Sequence, residues 1–71
     1  MERSFDVVIE RDEDGFYVAS VPSLPGCHTQ APSLDALTER IREAIELYLD
    51  AEGEPVAKLE FIGVQRVVVA A

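Results

Sequence analysis

The sequence predicts an α+β fold in which one helix lies across one face of an antiparallel β-sheet, in the order β, β, β, α, β. Three observations predict it. Apolar residues recur at every second position from Ser4 to Arg11, and a second apolar run spans Phe16 to Val21. Two clusters of turn formers, Asp12-Glu13-Asp14-Gly15 and Pro22-Ser23-Leu24-Pro25-Gly26, punctuate these runs. Beyond Pro32 the apolar spacing changes to that of a helix.

In the first strand the alternation puts Phe5, Val7 and Ile9 on a core face and Ser4, Asp6, Val8 and Glu10 on the other. The acidic turn ends in Gly15, where a positive φ suits the return of the chain. The second strand, Phe16 to Val21, is apolar on both sides, with Phe16 and Val18 on one face and Tyr17, Ala19 and Val21 on the other. Pro22 and Pro25 cannot donate to a ladder, so the chain turns a corner before a short third strand, Cys27 to Gln30. Ser33 is a good N-cap and Asp35 suits the first helical turn. From Leu34 to about Ala51, Leu34, Leu37, Ile41, Ala44, Ile45 and Tyr48 form one stripe, and Gly53 with Pro55 marks the helix end. After a Glu54 to Lys58 connection, Leu59 to Ile62 and Val64 to Ala70 read as extended, with Gly63 a bend or bulge.

The composition bounds the function. Residues 1–71 form one domain, and a chain this short buries only about 60–65% of the surface it exposes when unfolded, which favours a homodimer or larger assembly. Strand positions left uncovered by a single helix, Val8, Tyr17, Ala19, Val21 and Val68, are the candidate oligomer interface. Fourteen acidic against six basic residues leave a net charge of -8. That balance repels phosphate backbones, and the scattered Arg3, Arg11, Arg40, Arg42, Lys58 and Arg66 form no stripe that could track nucleic acid. No apolar run reaches the roughly 18 residues of a membrane helix, and no signal-peptide core follows Met1. The lone Cys27 rules out an internal disulfide and fits a reducing, cytoplasmic setting.

The run VIERDEDGFYVASVPSLPGCHTQ from Val8 to Gln30, followed by SLDALTERIREAIELYLDAEGEP and EFIGVQRVVVA, closely resembles the short form of the HicB-like antitoxins almost end to end. The specific part is the acidic turn and glycine before an aromatic strand, then P-x-L-P-G-C-H-T ahead of the helix. The resemblance implies a degenerate ribonuclease H-like fold, a homo-oligomer, and an antitoxin of a type II toxin-antitoxin system. The implied partner is HicA, a small basic mRNA-cleaving toxin that uses a histidine. Many HicB proteins continue into a C-terminal DNA-binding domain, which the short form lacks, so no operator binding is expected of these residues.

Several residues invite sharper chemical readings. A calcium loop counted from Asp12 would need glycine at Tyr17 and glutamate at Ser23, and fails. A divalent-metal nuclease site would have to draw on Asp6, Glu10, Asp12 or Asp14, yet turn chemistry and surface charge explain these acids. Cys27 and His28 are strand neighbours that point to opposite faces, so they form no nucleophile-base dyad, and zinc would need more ligands nearby. No catalytic residue, metal site or cofactor is expected. Asp35, Glu39, Glu43, Glu46 and Asp50 form an acidic ridge whose like-charge i, i+4 pairs each cost about 0.2–0.5 kcal/mol, only part of it offset by Arg42 with Glu46. Glu39, Glu43 and Glu46 are the candidate toxin-binding residues, and the Pro22 to Gln30 corner is the competing dock. The alternatives are an orphan HicB-like module for another protein or small ligand, and a degenerate metal-dependent nuclease.

Overall fold

The computed structural model describes residues 3–53 and 60–70. Its ordered elements are β1 (Val8–Arg11), β2 (Tyr17–Ser20), β3 (His28–Ala31) and α1 (Leu34–Glu52), and the three strands form one antiparallel sheet in the order β1-β2-β3. This is the expected α+β layer pair, with the first two strands shorter than the apolar pattern suggests and the third of the expected length but one position further on.

Local chemistry explains the connections. At the β1–β2 hairpin, Asp12 Oδ1 accepts from the N–H groups of Asp14 (3.0 Å) and Phe16 (2.9 Å), while the Asp12 N–H donates to the Phe16 carbonyl. Gly15, with φ 89°, supplies the left-handed step that an L side chain rarely tolerates. The β2–β3 connection is closed by Val21 N–H to the Cys27 carbonyl, Leu24 N–H to the Val21 carbonyl and Cys27 N–H to the Leu24 carbonyl, all within 3.0 Å. These bonds turn the Leu24 side chain inward, and it is fully buried. α1 begins where Ser33 Oγ accepts from the Ala36 N–H at 3.2 Å and ends at Gly53, whose N–H donates to the Leu49 carbonyl.

Register settles which face is which. Ile9 lies opposite Ala19 and Arg11 opposite Tyr17, while Ala19 and Tyr17 lie opposite Thr29 and Ala31. Opposed residues share a face, and this face meets α1, because Ala19, Val21, Leu24, Cys27, Ala31, Leu37 and Ile41 form the buried core. The sequence reading had the second strand the other way round. Ala19 and Val21 are covered by the chain's own helix, and Tyr17 packs against the same cluster. Val8, Glu10, Val18, Ser20, His28 and Gln30 therefore lie on the outer face.

Three further expectations are corrected. Leu34, placed in the apolar stripe, is 51% exposed in the first turn, and the helix instead adds Leu49 to its partly buried side. Ile9, expected in the core, is 54% exposed because β1 is an edge strand and α1 packs over β3 and β2. Residues 60–70 hold no strand: they have extended-strand composition but make no ladder, and strand propensity without a ladder does not make a sheet. Val68 thus lies on no sheet face. The expected Glu54 to Lys58 connection and Leu59 lie outside the described residues.

The two edges of the sheet differ. Val21 and Cys27 form a hydrogen-bonded pair, so in the alternating antiparallel pattern Gln30, opposite Val18, turns its carbonyl away from β2. Arg40 Nη1 of α1 donates to that carbonyl at 2.7 Å. By the same alternation from the Asp12–Phe16 bond, Ile9 and Arg11 turn their backbone groups outward from β1.

The buried loop side chain dominates this fold's sensitivity. Leu24→Ala should lower stability by about 2–5 kcal/mol, as large-to-small changes at fully buried sites do. Leu34→Ala should fall within about 0.5 kcal/mol of the unaltered chain, as surface changes do. Urea unfolding followed by circular dichroism measures both, and equal losses would contradict the burial pattern.

Candidate functional site

Three surfaces could carry function, and α1 contributes to two of them. Its core side, Leu37 and Ile41, is spent on the sheet. On the exposed side stand Asp35, Glu39, Glu43, Glu46 and Asp50, all solvent-accessible, so the ridge expected from helical spacing exists in three dimensions. Arg42 Nη1 approaches Glu39 Oε1 at 3.6 Å, a pairing at i, i+3 with both side chains about two-thirds exposed. The sequence had suggested Glu46 as the partner. Such an exposed pair contributes little to stability, and it neutralises one carboxylate of the ridge in part.

The second surface was not seen in the sequence. A groove of about 520 Å³ opens between the segment before β1 and the flank of α1, floored by Phe5, Val7, Ile41, Ile45 and Leu49 with Arg3, Arg42 and Glu46 among its charged lining. The Arg3 guanidinium sits 5.3 Å from the Phe5 ring centre. Phe5 and Val7 continue the alternation of β1, and that was the available signal. Their pairing with helix residues more than thirty positions away was not readable from spacing.

The third surface is the Pro22 to Gln30 corner. Pro25, Gly26, His28 and Gln30 are exposed, but Leu24 and Cys27 point into the core. Cys27 and His28 do diverge as their strand positions require, one buried and one on the outer face. Burial pushes the Cys27 thiol above its ordinary pKa, by disfavouring the charged thiolate. Of the acids Asp6, Glu10, Asp12 and Asp14, Asp12 uses a carboxylate oxygen to hold the hairpin. No group of three or more His, Cys, Asp or Glu side chains able to hold a metal ion occurs among the described residues. No helix among them is long and apolar enough to cross a membrane.

Of the expected self-association residues, Val8 is half-buried on the outer face and Val68 is 89% exposed in the C-terminal segment. Tyr17, Ala19 and Val21 lie on the helix side, with the Arg11 guanidinium 5.6 Å from the Tyr17 ring centre. The structure does not bring these five residues onto one surface.

Comparison with known proteins adds a family. A sequence model described as the HicB_like antitoxin of bacterial toxin-antitoxin system matches residues 5–67. The chain is also similar to a UPF0150 protein of Archaeoglobus fulgidus, 67% identical over 61 residues that cover 86% of this chain and 87% of the relative. A UPF0150 protein of Synechocystis sp. is 50% identical over 68 residues, 96% of this chain and 97% of its own length. Another from Thermotoga maritima is 33% identical over 68 residues, covering 94% and 91% respectively.

The burial of Cys27 has a measurable consequence. A thiol with a raised pKa binds its proton more tightly in the folded state, so its contribution to stability is present below the unfolded-state pKa and is lost as pH climbs towards and through the folded value. Iodoacetamide at pH 8 should label the native chain at least about tenfold more slowly than the urea-unfolded chain, since the thiolate is both scarce and covered. Equal rates by mass spectrometry would show the thiol to be open.

Proposed function

We infer that this chain, which belongs to the HicB-like antitoxin family, is a non-catalytic antitoxin that binds and neutralises a small basic HicA-like toxin as half of a type II system. An antitoxin implies a toxin partner, and the observation that carries the finer reading is the charge pattern. The net charge is -8, and α1 sets five carboxylate side chains on its solvent side. A protein that grips RNA must present clustered Lys and Arg to phosphates, and carboxylates are the groups that can occupy such a surface in the phosphates' place. Glu39, Glu43 and Glu46 are the residues assigned to that contact.

The same reading makes residues 1–71 one cytoplasmic domain of degenerate ribonuclease H-like descent, acting as a homodimer without touching nucleic acid itself. Two features support a role without catalysis: the hairpin acid Asp12 is engaged in its turn, and Cys27 and His28 face apart.

The test is kinetic. Co-purification from the native host identifies the basic partner, and the variant carrying Glu39→Lys, Glu43→Lys and Glu46→Lys is then compared with the unaltered chain. All three side chains point away from Leu37 and Ile41, so the helix signal should be unchanged. Association at low salt should slow by about tenfold or more and lose most of its salt dependence. Unchanged association rates would remove the ridge from the interface and leave the Pro22 to Gln30 corner or a sheet edge as the dock. RNA cleavage by the purified chain with magnesium or manganese, abolished by Asp6→Asn or Asp12→Asn, would overturn the non-catalytic reading.

A further inference from the structure

We propose that residues 62–69 form a strand exchanged between two copies of this chain, adding to the open edge of β1 in the second copy and roofing its apolar groove. This rests on the homodimer reading and names the surface that makes the dimer.

Five observations meet here. Ile62, Val64, Val67, Val68 and Val69 are 68–89% exposed, an apolar run that water disfavours. The run is composed as a strand, and with one chain alone it has no ladder. β1 is an edge whose Ile9 and Arg11 turn their backbone groups outward, ready to pair with an incoming strand. The groove floored by Phe5, Val7, Ile45 and Leu49 lies along the segment that runs into that edge, so a strand added there would cover it. The chain's radius of gyration, 13.8 Å, exceeds the roughly 11 Å of a compact domain of 71 residues, as expected when part of the chain stands off the body.

The occupant is a second copy because the run is apolar on both sides. In extended backbone Ile62, Val64 and Val68 share one face and Val67 and Val69 the other. The described residues hold one helix, on one face of the sheet, so folding the run back onto its own β1 would leave the opposite face in water. Reciprocal exchange gives that face the second copy's surface to meet. Five exposed apolar side chains from each copy, with the groove residues they would cover, would leave water together at that contact. Arg66 is the only charged residue from position 61 to 70, and it carries positive charge towards an otherwise acidic body.

The experiment measures mass and amide exchange on the full chain. Light scattering at micromolar concentration should give twice the chain mass of 7.8 kDa, with amides 62–69 protected in proportion to dimer content. Val64→Asp with Val68→Asp should lower the dimer's association constant at least a hundredfold and abolish that protection. These positions lie outside the core, so helix content should persist and a monomer is then a folded one. A dimer that survives the double change would overturn the exchanged strand while leaving the homodimer reading intact. An unaltered chain with the mass of one copy would overturn both, whether or not its 62–69 amides were protected.

Discussion

The fold depends on one inward-turned loop side chain. Among the described residues, Leu24 and Leu37 are the largest side chains that are fully buried, one from the loop and one from the helix, and the sheet beneath them supplies Ala19 and Ala31. Small residues on the sheet let α1 approach closely, and Leu24 closes the space that this approach would leave open at the β2–β3 end. The backbone bonds among Val21, Leu24 and Cys27 make the inward turn possible without leaving those groups unsatisfied. Gly26, at φ 85°, provides the left-handed step between Pro25 and Cys27. The same loop fixes the register of β3 and therefore the point from which Ser33 starts the helix. Position of the ridge and position of the groove both follow from it.

What the sequence revealed, and what it withheld, divides along physical lines. Asp12, Gly15, Ser33 and Gly53 were readable because each acts through bonds to residues a few positions away, and local chemistry leaves a local signature. The face of the second strand was not readable, since apolar residues on both sides give period-two spacing no contrast. Only pairing to Ile9 and Thr29 decides that Ala19 faces the helix. Leu34 was misplaced because helical phase gives an angle and says nothing of depth: at the first turn the helix has not yet come over the sheet. The acidic ridge was legible as a helix face. The groove was not, because its walls come from residues 3–7 and 38–49.

The C-terminal run shows the same division most sharply. Three successive valines announce strand propensity, but a strand is a relation between two backbones, and sequence names only one of them. A chain of this size has little apolar surface to spare: among the described residues seven make the buried cluster, while Ile62, Val64, Val67, Val68 and Val69 stay in water. α1 has three jobs divided around its circumference. Leu37 and Ile41 hold the sheet, Ile45 and Leu49 border the groove, and the glutamates face solvent. A partner that met the glutamates and a second copy that met the groove would touch adjoining sectors of one helix, with Glu46 on the border they share.

The bond from Arg40 to the Gln30 carbonyl gives the sheet a polarity of growth. An unprotected strand edge is a template on which further strands can stack without limit, and proteins blunt such edges with charge. Here the β3 side carries a guanidinium already engaged with an outward carbonyl, whereas among the described residues the β1 side is an edge with no strand beside it. A sheet that can be extended from one side only has a terminus built into it. If a further strand adds to the β1 side, addition stops once that side is filled, and the outcome is a closed assembly rather than an open-ended fibre.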